Sequence, residues 1–179
     1  MMIDFVLNKE LVKYAKEFGL EKVYPVEIVN YEDIKKPSNE LIFVKADSKN
    51  LRKIFENGRV NCVVGLEFVE EKDDLHYKKS GLNQVFCNLA VKNKISIGFS
   101  FSDVLNAKDK SKVIGRMIQN AALCKKYKIN MVLASFAKDK WEMRLGKDLE
   151  AFGRLIGIDK LDNKKIFKLK ENDDIRVIK

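Results

Sequence analysis

The residue types that support hydrolytic or metal-assisted chemistry are few and scattered in this sequence. Carboxylates fall near the ends of apolar, β-rich runs at Asp4, Glu27 and Glu67. A small α/β hydrolase draws acid/base groups or metal ligands from such positions, provided that the fold brings them into one pocket. The sole histidine, His76, lies in the polar stretch from Glu70 to Lys79. One imidazole supplies neither a histidine-rich metal cluster nor a two-histidine acid/base pair. The nearby acidic residues Glu70, Glu71, Asp73 and Asp74 read as a solvated loop. Cys62, Cys87 and Cys124 are odd in number, widely spaced and without a CxxC pair. They suggest no disulfide framework or zinc knuckle, and they fit a reducing compartment. The phosphate-loop, dinucleotide, zincin and nucleophile-elbow motifs do not occur.

Positive charge is the more informative feature. The 179 residues carry 35 basic and 26 acidic side chains, a net charge of +9, and a pI near 9.3. A polyanion partner fits this balance, as does a lysine-rich solvated surface. Of the basic residues 29 are Lys and six are Arg. Such a ratio suits phosphate neutralisation by point charges better than bidentate base reading.

The elements that must position these groups are set by periodicity. A hydrophobic share of 46% with 34% charged residues, nine Gly and two Pro describes a globular chain and excludes fibrous or disordered classes. No apolar run reaches the roughly 18 residues of a membrane span, and the start shows no signal-peptide core. A single domain over 1–179 in the cytoplasm is therefore expected. Strands are predicted at 3–6, 22–29, 41–45, 62–68, 95–101 and 130–135, with a further one at 166–169. Helices are predicted from Asn8 to Phe18, then at 49–56, 82–93, 108–127 and 146–157. The alternation implies parallel pairing and an α/β fold. A full eight-unit barrel takes about 250 residues, and about 200 is its usual minimum, so only an abbreviated or distorted barrel fits this length.

Three phrases carry a resemblance. Gly81-Leu82-Asn83-Gln84 leads through Ile97-Gly98-Phe99-Ser100 to Leu123-Cys124-Lys125-Lys126-Tyr127-Lys128. Ala134-Ser135 with Ala137, Met143-Arg144, Asp148-Leu149 and Gly153 to Gly157 come next in order. This series resembles the ribonuclease P protein component 3 family, the thirty-kilodalton-type subunits of archaeal and eukaryotic ribonuclease P. It covers residues 81 to 157 well and the N-terminal third loosely.

The resemblance implies a TIM-barrel-like fold related to metal-dependent phosphoesterase barrels. It also implies a non-catalytic protein subunit of a ribonucleoprotein that removes the 5′ leader from precursor tRNA. Catalysis would belong to the RNA subunit, with Mg²⁺ on that RNA and no cofactor in this chain. Expected partners are ribonuclease P RNA, other protein subunits, especially protein component 2, and precursor tRNA indirectly; no membrane is expected. Phosphoesterase barrels hold metals through HxH on the first strand, where this chain has Ile3-Asp4-Phe5, so that metal cluster is not carried over. The chain also reads as one β/α unit short between Lys22 and Lys45.

The residues assigned to RNA contact are Arg52, Gln84, Lys92, Arg116, Lys125, Lys126, Lys128 and Arg144. Gln84, Asn88 and Lys92 form a four-residue-spaced polar stripe opposite Leu82, Val85 and Leu89. Lys112 and Arg116 mark the polar face of the long helix. Lys125, Lys126 and Lys128 cluster at its end, where the helix dipole alone favours cations. Arg144 lies in the loop before the next helix, with a salt bridge to Asp148 as the competing assignment. Trp141 and the Phe99-Phe101 pair are expected to pack internally and not to stack on bases.

Overall fold

The computed structural model describes residues 2–34, 40–73 and 79–174, with side chains through residue 169. His76 and Asp74 lie outside the described residues. Seven strands run in one direction: β1 (Ile3–Val6), β2 (Lys22–Pro25), β3 (Ile28–Val29), β4 (Phe43–Lys45), β5 (Cys62–Val64), β6 (Ser96–Ser100) and β7 (Met131–Ala134). β1 pairs with β2, and β3 to β7 form a second ladder in sequence order, all parallel. The run 22–29, expected as a single strand, is split because its first half pairs with β1 and its second half with β4. One stretch of chain thus serves two neighbours.

The strands close on themselves. Beyond the end of β7, Phe136 N–H donates to the Phe5 carbonyl at 2.9 Å, and Leu7 N–H donates back to Ala137 at 2.8 Å. Towards the N-terminal ends of the strands the gap between β1 and β7 is filled by one side chain, Asn163. Its Nδ2 donates to the carbonyls of Ile3 (3.0 Å) and Leu133 (2.8 Å), while its Oδ1 accepts from Leu133 N–H at 3.1 Å. The result is an abbreviated, distorted α/β barrel.

Alternation along the strands sorts the core into two layers. Ile3, Phe5, Phe43, Cys62, Val64, Val132 and Ala134 pack together inside the ring. Val44, Val63, Ile97, Phe99 and Leu133 pack outward under the helices. A Cβ at Gly98 would come within 2.8 Å of Val64 Cγ2 and 2.9 Å of Cys62 Sγ, so the filled interior admits no side chain there. Phe136, with φ of +46°, is buried against Phe5 and Phe43 at one mouth.

The outer helices are α1 (Leu51–Glu56), α2 (Gln84–Lys92), α3 (Phe101–Asn106), α4 (Lys110–Tyr127) and α5 (Gly146–Ile156). Asn83, Ser100 and Asp109 cap α2, α3 and α4 by accepting from the N–H groups of Phe86, Asp103 and Lys112. The strand expected through Phe101 therefore stops at Ser100. Asn8 caps as expected, but the segment that it opens is a 3₁₀ helix, Lys9–Tyr14, and not a long α-helix. The strand expected at 166–169 is also corrected, because these residues lie in α6 (Lys165–Asp174). Ile166 is buried and Phe167 half-buried against the barrel interior, with the Phe167 ring 6.1 Å from Phe5 and 5.1 Å from Tyr24. Among the described residues no helix is long and apolar enough to cross a membrane.

Candidate nucleic-acid interface

Two of the three strand-end carboxylates are committed to holding the fold. Asp4 is fully buried, and its Oδ1 accepts from the N–H groups of Phe5 (2.9 Å) and Ser135 (2.7 Å). Its Oδ2 accepts from Ser135 Oγ at 2.6 Å. Burial outweighs these three bonds and raises the pKa to about 6. Glu67 is buried, accepts from Asn120 Nδ2 at 3.1 Å and is pushed by burial to about 7. Glu27 is exposed between β2 and β3. Each of the two buried acids is engaged by its own partners, and among the described residues no three metal-ligating side chains converge. This donor set does not fit the metal cluster of a phosphoesterase barrel.

Arg116 is corrected outright. It is 2% exposed and its guanidinium is fully engaged, with Nε and Nη2 donating to Asp73 Oδ1 at 2.9 and 2.7 Å. Nη1 donates to the carbonyls of Glu67 and Glu70, both at 2.6 Å. The residue fastens the loop after β5 to α4, and RNA cannot reach it. Spacing carried the signal: Arg116 and Asn120 fall in register with buried Val113, Met117 and Cys124. Trp141, expected to pack, is 86% exposed. The Asp139 side chain fixes its turn by accepting from Trp141 and Glu142 N–H groups, and the indole projects into solvent. Phe99 is buried as expected, while Phe101 is only half-buried.

Arg144 pairs with neither Asp148 nor solvent alone. Its Nη1 donates to the carbonyls of Trp141 (2.7 Å) and Met143 (2.6 Å), and its guanidinium lies 5.1 Å from the centre of the Phe101 ring. Arg52 is exposed and bonded to Glu56 one turn on at 2.8 Å. Gln84, Asn88 and Lys92 are exposed on α2 as expected, but Val85 stands exposed among them and not on the buried side. Lys126 is exposed beside the Tyr127 ring.

Lys125 and Lys128 belong to a larger constellation. At the N-terminal ends of β6 and β7, a cleft of about 500 Å³ opens between the ends of α2 and α4, the segment after α5, and α6. Six lysines line it: Lys94, Lys125, Lys128, Lys160, Lys165 and Lys168. Among the described residues Asp162 is the single acidic side chain in the lining, and Asp159 reaches Lys125 at 2.7 Å. Ile95, Ile129 and Ile158 supply an apolar floor. A concave surface lined by one sign of charge over low-dielectric walls focuses the field and attracts polyanions. Four of the lysines, at 94, 160, 165 and 168, are not legible in the sequence as members of a site, because 128 and 160 or 94 and 165 meet only in the fold. The repeated phrases NKIS and YKIN, which lead into β6 and β7, were the available clue.

A family model described as RNase P subunit p30 matches residues 72–172, more than half of the chain. The chain belongs to the RNase P subunit p30 family. Ribonuclease P protein component 3 of Thermococcus kodakarensis is 31% identical over 84 residues, which are 46% of this chain and 38% of that protein. The protein of the same description from Methanococcus vannielii is 28% identical over 176 residues, 90% of this chain and 73% of its own length. The aligned stretch thus spans well under half of one curated relative and about three quarters of the other. Among solved structures, a chain of the cryo-EM structure of archaeal ribonuclease P with mature tRNA superposes with a TM-score of 0.65 at 19% identity. The match covers 97% of this chain and 81% of that one. The likeness of fold therefore extends almost throughout the chain, although the family model begins only at residue 72.

Proposed function

We propose that this chain is a protein subunit of ribonuclease P that binds and supports the catalytic RNA and does not itself cleave. The observation that carries this reading is the p30 family match over the half of the chain that contains α2, α4 and most of the lysine-lined cleft. The non-catalytic role is supported by the two buried acids, since Asp4 is engaged in holding β7 and Glu67 in holding α4. Mg²⁺ then belongs to the RNA, and precursor tRNA is met through the assembled particle.

In this reading the exposed cations Arg52, Lys92, Lys125, Lys126 and Lys128, with Gln84, offer phosphate contacts, and protein component 2 is the expected protein neighbour. Arg144 acts by holding the loop that displays Trp141. Reconstitution tests the proposal. The purified protein with Mg²⁺ and precursor tRNA should release no 5′ leader, and addition of ribonuclease P RNA with the other protein subunits should restore cleavage. Leader release by the protein alone, surviving nuclease controls, would defeat it. So would a reconstituted particle whose activity is the same with and without this chain.

A further inference from the structure

We propose that the lysine-lined cleft is a seat for RNA backbone phosphates, with Lys94 and Lys128 as its fixed contacts. The proposal rests on the subunit reading and adds a location and a mode of binding to it.

Four helical segments of this chain end in the same way. In each, a residue with left-handed backbone is followed by an aliphatic residue whose N–H donates to the carbonyl five positions earlier. Leu20 donates to Ala15 (2.9 Å), Ile95 to Ala90 (2.9 Å), Ile129 to Cys124 (2.9 Å) and Ile158 to Gly153 (2.7 Å). The left-handed residues are Gly19 (φ +60°), Lys94 (+56°), Lys128 (+58°) and Gly157 (+98°). Glycine takes this conformation without steric penalty and is the usual occupant, whereas a residue with a Cβ is strained in it. Two ends obey the rule and two carry lysine. Both lysine-capped ends line the cleft through the lysine and the isoleucine after it, whereas the Gly157 end reaches it only through Ile158 and the Gly19 end does not line it.

Local rules do not account for the choice. The helix dipole is already served by Lys92 in the last turn of α2 and by Lys125 and Lys126 in that of α4. Lys165 opens α6, the end at which the dipole disfavours a cation. Lys160 lies outside any helix. What these residues share is the cleft. They come from four separate segments and surround an apolar floor, with Asp162 as the one acidic group in the lining among the described residues. Hydrated ammonium point charges spread in this manner match a run of phosphates better than a single planar anion, which a guanidinium fork would hold.

The test uses the full-length chain and a fluorescently labelled RNA hairpin, with anisotropy measured over a series of KCl concentrations. Lys94→Gly with Lys128→Gly should melt at the same temperature as the wild type or higher, because glycine relieves both left-handed positions. Its affinity should fall on the order of tenfold at moderate salt, and the slope of log K against log salt should shrink by about 1.5. Lys160→Ser with Lys165→Ser, on other segments, should weaken binding in the same sense. Unchanged affinity and slope in both double variants overturns the proposal. So does a loss confined to the glycine pair and accompanied by a lower melting temperature. Normal RNA binding combined with failed assembly onto the other protein subunits would make the cleft a protein interface, which also overturns it. Restoration of precursor cleavage by the wild type is scored separately. If the wild type binds RNA through the cleft but never restores cleavage, the subunit reading fails while the cleft stands.

Discussion

Two stretches of α4 carry positive charge and treat it in opposite ways. In the middle, Arg116 is sealed from water and each donor finds an oxygen, from Asp73, Glu67 or Glu70. At the end, Lys125 and Lys128 face an open cleft in which lysines far outnumber carboxylates. The same helix therefore uses one cation for architecture and gathers others in a cleft whose described lining holds more lysines than carboxylates. A buried cation must be matched because desolvation is costly, whereas an exposed cluster is tolerated when a polyanion completes it.

The sharpest way to break this contrast is Arg116→Ala. It leaves Asp73 and two carbonyls without their donor, and the expected loss is about 3–5 kcal/mol of stability in urea unfolding. Protein that remains folded should bind RNA with an unchanged salt slope. A reduced slope would move Arg116 to the binding side of the comparison.

Glu67 gives the second effect. Its pKa is about 7 in the fold against an ordinary 4.5, so the folded chain keeps a proton that the unfolded chain has released. Stability from this group is full below about pH 4.5 and is lost as pH rises to about 7, on the order of 3 kcal/mol in all. Asp4, at about 6, acts in the same direction over a lower window. Unfolding between about pH 6 and 7.5 isolates Glu67. The wild type should lose stability across this interval and Glu67→Gln should be nearly flat; equal slopes would show that the carboxyl titrates normally.

Arg144→Ala should cost about 1 kcal/mol, since two carbonyl bonds and the Phe101 contact disappear without opening a cavity. The fluorescence of Trp141, the only tryptophan, should report a loosened loop. A variant with wild-type melting and emission would return Arg144 to the role of a free phosphate fork. The smallest effects compare Lys126 with Lys160. Each alanine should change stability by no more than about 0.5 kcal/mol. Lys160→Ala should lower the salt slope by about 0.8, and Lys126→Ala, a phosphate contact outside the cleft lining, should lower it by less.

Periodicity made most elements legible because strand and helix repeats differ, and in the fold the alternating residues of β5 and β7 sort inside from outside. It failed where the run was short. Ile166, Phe167 and Leu169 fit either a two-residue or a 3.6-residue repeat, and the barrel interior selected the helix. The charged residues were harder, since charge alone does not tell a surface lysine from a clamp. Arg116 became structural because Asp73 arrives from 43 positions away. Composition points Trp141 inward, although its turn, capped by Asp139, holds it outward. The cleft was half visible: the lysines at the end of α4 were evident, and those brought by α6 required the fold.

Asn163 also bears on closure of the ring. β1 precedes the other described strands along the chain, yet the edge that it turns towards β7 is satisfied by backbone bonds with Phe136 and Ala137 and by Asn163, 160 positions after Ile3. Until residue 163 has emerged, Ile3 and Leu133 have carbonyls facing an unfilled slot, and the first strand is an open edge exposed to stray pairing. Contacts so distant along the chain incur their loop-closure entropy late. Closure of the ring thus depends on contacts as far as 160 positions apart, and the amide of Asn163 covers what would otherwise be an open edge of β1.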